Sequence, residues 1–133
     1  MNKNTLLVLL ISLTLGLLQA DPPDWDLNGS CVLNNYNDYE NNGSITARVY
    51  SDSLEGGDIG DLIATFVDNE QRGVGCADEV PVFLGGGIAF LMMIYSDQTD
   101  GETLTFQYYD ESQDNVYVCN ETLDDILMYV DVC

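Results

Sequence analysis

The chain has 133 residues, with 23 acidic residues against three basic ones, no histidine and a formal net charge of −20. This balance excludes nucleic acid as a partner and opposes docking on anionic membranes, because both need a basic surface. Without histidine, a serine or cysteine nucleophile lacks its usual general base.

The first 20 residues predict a secretory signal peptide. Lys3 precedes a leucine-rich run from Leu6 to Leu18, and Gln19-Ala20 completes the cleavage site. The alternative is a membrane anchor, but the run is shorter than the roughly 20 apolar residues that a span needs. Cleavage after Ala20 would leave 23 acids and two arginines, a formal charge of −21. We therefore expect a secreted protein, with no membrane insertion after cleavage.

Residues 21–42 are rich in Asn, Asp and Pro and predict an irregular segment anchored by Trp25. Residues 43–52 alternate, with Ile45, Ala47 and Val49 on one face, which is typical of a half-buried strand. The Gly/Asp loop that follows interrupts this strand.

Residues 62–75 predict a hairpin that turns at Asp68-Asn69, since both residue types tolerate positive φ. That turn would pair Val67 with Glu70, Thr65 with Arg72, and Ile63 with Val74. Residues 88–95 form an apolar run of eight that predicts a central strand buried on both faces.

Three further strands are predicted, and Leu104, Phe106 and Tyr108 should point inward from the first of them. The remaining two are residues 115–120 and 126–132. Strands at intervals of about ten residues, with no helical pattern, predict an all-β fold. We expect an antiparallel Ig-like β-sandwich of about seven strands over residues 43–133.

Four cysteines in a small secreted chain predict two disulfides. They allow three pairings, of which Cys31–Cys76 and Cys119–Cys133 are favoured because they would fasten the two ends of the domain. Zinc is disfavoured, since the spacing offers neither a CxxC pair nor histidine. N-glycosylation sequons begin at Asn28, Asn42 and Asn120.

The segments "LIATFVDNEQRGVG", "FLMMIYS" and "GETLTFQYYD" resemble, in order and in residues, an extracellular β-sandwich module of bacterial secreted and cell-surface proteins. Trp25 also matches, and the other matching residues are Ala64, Phe66, Val67, Glu70, Arg72, Gly73, Val74, Ile94, Tyr95, Gly101, Glu102, Leu104, Thr105, Phe106, Tyr109 and Asp110. The resemblance implies the sandwich fold, and it implies no catalytic residue.

Arg72 is one of only two arginines outside the predicted leader, and its role needs an explanation. Glu70 and Arg72 lie two apart on a predicted strand and so share a face. We expect a structural ion pair between them rather than a ligand-binding role.

The Gly/Asp loop before the hairpin is the best candidate for a metal site. Its acids recur every third residue and could supply the oxygen ligands that Ca²⁺ prefers; they are Asp52, Glu55, Asp58 and Asp61. Ordinary solvated turns are the alternative, because Asp and Gly populate turns in any case.

Binding of a protein or a glycan at the cell surface is the function that these features favour, with calcium as a stabilising ion. The aromatic candidates for a glycan site are Tyr36, Tyr39, Tyr108, Tyr109 and Tyr117, although rings in a sandwich are often core. The chain is not expected to be an enzyme. Two alternatives stay open: self-assembly into an extracellular filament by β-strand exchange through the N-terminal arm, and, more distantly, a glycoside hydrolase with a carboxylate pair.

Overall fold

The computed structural model describes the backbone of residues 22–123 and 129–131 and the side chains of residues 22–120. Residues 22–40 hold no strand, only a 3-10 turn at Tyr36–Asp38. The strands are β1 (Asn41–Ser51), β2 (Leu54–Gly56), β3 (Leu62–Val67), β4 (Glu70–Glu79), β5 (Ile88–Ser96), β6 (Leu104–Asp110), β7 (Asn115–Leu123) and β8 (Tyr129–Asp131). The predicted signal peptide, residues 1–20, lies outside the described residues.

The strands form one sheet in the order β2-β1-β5-β4-β3-β6-β7, in which every neighbouring pair is antiparallel. The short β8 pairs with β1 in parallel. The sheet curls into a half-barrel, so that Phe90 of β5 meets Tyr108 of β6 across the interior, with ring centroids 6.1 Å apart. The predicted all-β antiparallel fold is confirmed.

The core fills the concave side of this sheet. Its buried residues come from five strands and include the predicted inward faces of β1 and β6; they are Ile45, Ala47, Val49, Ile63, Val67, Phe90, Met92, Ile94, Leu104, Phe106, Tyr108 and Cys119. Each large side chain buried in this way contributes roughly 1.5–3 kcal/mol to folding.

The N-terminal segment folds back on the convex side of the sheet. Trp25 is buried there with its ring edge-on to Phe66, at 6.0 Å between centroids, and its carbonyl accepts a hydrogen bond from Gln71 Nε2 at 2.9 Å. A disulfide joins Cys31 of this segment to Cys76 of β4. The predicted pairing of these two cysteines and the anchoring by Trp25 are confirmed.

The hairpin β3–β4 turns at Asp68-Asn69 as predicted, and both residues have positive φ. Val67 pairs with Glu70, but a β-bulge then shifts the register, so that Thr65 faces Gly73 and Ala64 faces Val74. The predicted pairings of Thr65 with Arg72 and of Ile63 with Val74 are wrong. Arg72 is the extra residue of the bulge, and a bulge changes the direction of the side chain that it carries.

Strand β5 is central, between β1 and β4, but apart from Ala89 its buried residues all lie on one face. Phe90, Met92 and Ile94 are buried, whereas Leu91 and Met93 on the convex face are 60% and 37% exposed. The prediction of burial on both faces is therefore wrong. The N-terminal segment reaches this strand near its end, where the rings of Tyr36 and Tyr95 lie 5.7 Å apart.

Candidate functional site

The antiparallel topology brings several loops to one end of the sheet. Four connections lie at this end: the β1–β2 turn, the loop from 57 to 61, the β4–β5 connection and the β6–β7 turn. The strand registers show this, because Ser51 pairs with Leu54, Glu79 with Ile88, and Asp110 with Asn115. We refer to this as the loop end of the molecule.

A cleft of about 390 Å³ opens between the two ends of the curled sheet. One wall is formed by the β1–β2 hairpin and the other by β6, β7 and the turn between them. The lining residues are Val49, Tyr50, Ser51, Gly56, Gly57, Tyr108, Asp110, Gln113, Tyr117, Val118, Cys119 and Asn120. Its volume falls within the range of small-molecule sites, about 300–1,000 Å³.

The aromatic wall of the cleft is a stacked pair. Tyr108 and Tyr117 face each other across β6 and β7, with ring centroids 6.1 Å apart and planes inclined by 23°. Tyr108 is buried, whereas Tyr117 is 39% exposed and lines the cleft. An exposed aromatic face on a rigid strand is suited to stacking against the apolar face of a ligand.

A buried carboxylate fixes the position of Tyr108. Asp61 is 2% exposed and accepts hydrogen bonds from the Tyr108 hydroxyl at 2.5 Å, the Glu111 amide at 2.9 Å and the Asp58 amide at 2.7 Å. Burial, and then the bond to Asp61, raise the pKa of Tyr108 above its ordinary value. The neutral phenol thus connects the cleft wall to the loops on either side.

Three side chains at the rim of the cleft are joined by consecutive hydrogen bonds. The Tyr117 hydroxyl donates to Gln113 Oε1 at 3.0 Å, and Gln113 Nε2 donates to Asp110 Oδ2 at 3.0 Å. Asn120 lies further along the same strand and is exposed. Hydroxyl, amide and carboxylate groups therefore border the aromatic surface and can orient a polar ligand.

The acids of the predicted calcium loop do not converge. Asp61 is engaged as described above, Glu55 forms an ion pair with Arg48, and Asp52 and Asp58 are exposed. Among the described residues, the only group of three or more acids, cysteines or histidines with ligand atoms within 4.8 Å is Asp26 with Cys31 and Cys76. Those two sulfur atoms form the disulfide, so they are not thiolate ligands.

The predicted pair of Glu70 and Arg72 lies on the convex side, away from the cleft. Arg72 Nε is 3.7 Å from Glu70, but Nη2 is closer to Glu102, at 3.2 Å, and the guanidinium stands 5.0 Å from the ring centre of Tyr39. The Tyr39 hydroxyl donates to Glu70 at 2.5 Å. Arg72 therefore links the N-terminal segment to the sheet.

The predicted aromatic candidates divide into two groups. Tyr108 and Tyr117 line the cleft, whereas Tyr36 and Tyr39 pack on the convex side and Tyr109 is buried under Trp25. Sequence reasoning missed Tyr50, Gln113 and Asn120 as cleft residues. They line the cleft because the sheet curls and brings β1 near β7, and no pattern in the sequence indicates this curl.

The structure locates the predicted glycosylation sites and Cys119. Asn28, Asn42 and Asn120 are all exposed, and their modification stays a prediction. Cys119 is buried beside the cleft, and no described cysteine is a free thiol. The pairing Cys119–Cys133 stays a prediction because Cys133 lies outside the described residues.

Comparison of the chain with protein-family models, with curated proteins and with solved structures finds no match. No helix within the described part of the chain is long and apolar enough to cross a membrane. The function is therefore inferred from the residues of the cleft and their surroundings.

Proposed function

We propose that the protein is a secreted, non-catalytic binding module of the cell surface or extracellular matrix, and that its cleft binds a neutral saccharide. The observation that carries this proposal is the partly exposed ring of Tyr117 in the cleft, stacked on Tyr108 and bordered by Gln113, Asp110 and Asn120. A sugar ring has apolar C–H faces and hydroxyl edges, so it can satisfy both kinds of surface at once.

The charge of the chain supports a neutral rather than an anionic ligand. At −20 the protein repels carboxylated and sulfated glycans, and Asp110 is a carboxylate within the cleft itself. A neutral saccharide can donate hydroxyl protons to Asp110, Gln113 and Asn120 without a charge penalty.

The composition of the cleft supports binding rather than hydrolysis. Glycoside hydrolysis ordinarily needs two carboxyl groups on opposite sides of the scissile bond. Asp110 is the only carboxylate among the described lining residues, and its oxygens already accept bonds from Ser112 and Gln113. The carboxylate-pair alternative therefore has less support.

The finer architecture belongs to the same proposal. Contact between Phe90 and Tyr108 across the interior supports an Ig-like sandwich, in which the β1–β5–β4 part of the sheet faces the β3–β6–β7 part. Such an arrangement is the one implied by the resemblance to bacterial surface modules. Filament formation through the N-terminal arm has less support, because Trp25 and the Cys31–Cys76 bond hold that arm on its own sheet.

The test is an array of neutral and anionic glycans, followed by titration calorimetry with the best neutral ligand. Tyr117→Ala is expected to weaken binding about tenfold, since one aromatic contact and its buried area are lost. Val116→Ala is the matched control, because Val116 is similarly exposed but on the opposite face of β7. Binding of anionic glycans only, or equal affinity in the two variants, would contradict the proposal.

A further inference from the structure

The connection between β4 and β5 carries three consecutive large apolar side chains in the open. Val82, Phe83 and Leu84 are 90%, 85% and 65% exposed. They form a 3-10 turn, which we refer to as the apolar turn. Isolated exposed apolar residues are common on protein surfaces, but a contiguous set at a loop tip marks an interaction site.

The apolar turn is held in one shape by its own backbone. Leu84 N donates to the Pro81 carbonyl at 2.8 Å, Gly86 N donates to the same carbonyl at 3.2 Å, and Val80 N donates to the Gly87 carbonyl at 2.9 Å, which closes the base. A surface that is already ordered loses little conformational entropy when it binds.

A buried arginine fastens the base of the turn to β1. Arg48 is 7% exposed, donates from Nη2 to the Gly86 carbonyl at 2.8 Å, and is paired with Glu55. Gly87 has a φ of +80°, and a Cβ there would lie 2.8 Å from Arg48 Nη1, so this position requires glycine. The base of the turn is therefore held by a buried arginine whose carboxylate partner, Glu55, is partly exposed.

Three acidic side chains lie at the base of the apolar turn. Asp78 and Glu79 precede it and are exposed, and Glu55 is exposed beside its base. The positive charge nearest in the structure, Arg48, is buried and paired. With a chain charge of −20, this surface repels a second copy of the protein and anionic lipid headgroups alike.

We propose that the apolar turn inserts into an apolar groove bordered by lysine or arginine on a partner protein. Apolar contact would supply the affinity, and the acidic surroundings would supply orientation and selectivity. Three side chains are too few for stable residence on a neutral bilayer, which favours a protein as the occupant. The site is separate from the saccharide cleft and does not depend on it.

The probe is a helical leucine/lysine peptide, which presents an apolar face bordered by lysines, and the readout is fluorescence anisotropy. Phe83→Ser is expected to weaken binding about tenfold or more. Leu91→Ser, which removes an exposed leucine from the convex face of β5, should leave the affinity unchanged, as should Tyr117→Ala. Circular dichroism checks that each variant is folded.

Two further measurements separate the apolar and the charged contributions. Raising the ionic strength should weaken the binding of the wild-type protein, and a leucine/glutamate peptide should not bind. The proposal would be overturned by a Phe83→Ser variant that binds like the wild type, which would show purely electrostatic attraction. Tighter binding to zwitterionic vesicles than to the peptide would also overturn it, in favour of a lipid surface.

Discussion

Replacement of Arg72 by methionine tests the guanidinium that contacts Glu70, Glu102 and Tyr39 on the convex side. The side chain of Arg72 is 11% exposed, and that of its closest partner, Glu102, is 19% exposed. Methionine has a similar volume to arginine but cannot donate a hydrogen bond to Glu102. Among the described residues, the Ser96 hydroxyl would then be the side-chain donor left to that carboxylate. Hydrogen bonds between charged groups contribute about 1.5–3 kcal/mol each, and the contact with the Tyr39 ring adds about 0.5–1 kcal/mol.

We therefore expect Arg72→Met to lower the free energy of unfolding by about 2–3 kcal/mol, once partial exposure of the pair is allowed for. Urea denaturation of the wild type, of Arg72→Met, of Glu102→Gln and of the double variant gives the coupling between the two groups. Glu70→Gln is the control: Glu70 is 62% exposed, so its pair with Arg72 should contribute less than about 1 kcal/mol. An Arg72→Met variant that loses no more stability than Glu70→Gln would refute this reasoning.

Three further predictions follow from other contacts. Reduction of the Cys31–Cys76 disulfide, or its replacement by serines, should lower the free energy of unfolding by about 4 kcal/mol, as chain entropy predicts for a separation of 45 residues. Urea denaturation with and without reductant measures this loss, and an unchanged midpoint would contradict it. The pKa values of Tyr39 and Tyr108 are raised chiefly by burial, so the unfolded chain loses these protons first. The contribution of these two protons to the free energy of unfolding should be complete below about pH 10 and should decline as the pH rises above that value. Thermal melts in alkaline buffers measure this decline, and a melting temperature that rises with pH there would contradict it. Because Glu55 and Asp61 of the predicted calcium loop already have protein partners, we expect neither EDTA nor added Ca²⁺ to move the melting temperature; a rise with Ca²⁺ would instead support the calcium hypothesis.

The strands were predictable because their apolar residues alternate and their turns carry Asp, Asn and Gly. The turn at Asp68-Asn69 and the inward faces of β1 and β6 followed from this pattern alone. The three-residue β2 was missed, since a segment of that length shows no period. The bulge at Arg72 was missed for a related reason, because one extra residue changes the register but not the residue pattern.

The cleft could not be predicted in the same way. Its walls are separated by the whole width of the sheet, and only the curl brings Tyr50 near Tyr117. The apolar turn was missed because apolar residues are ordinarily buried, so "VFL" before three glycines resembles the start of a core strand. Asp61 was predicted as a metal ligand, whereas its depth makes it the acceptor that orients Tyr108.

The most direct test of the proposed function is to map the ligand by NMR. The backbone amide signals of the ¹⁵N-labelled protein are followed while the best neutral saccharide is added. We predict that the shifts concentrate on residues that line the cleft, chiefly Tyr50, Tyr108, Gln113 and Tyr117, and that Leu91 on the convex face does not move. Shifts confined to other surfaces, or no shifts at saturating saccharide, would contradict binding in the cleft.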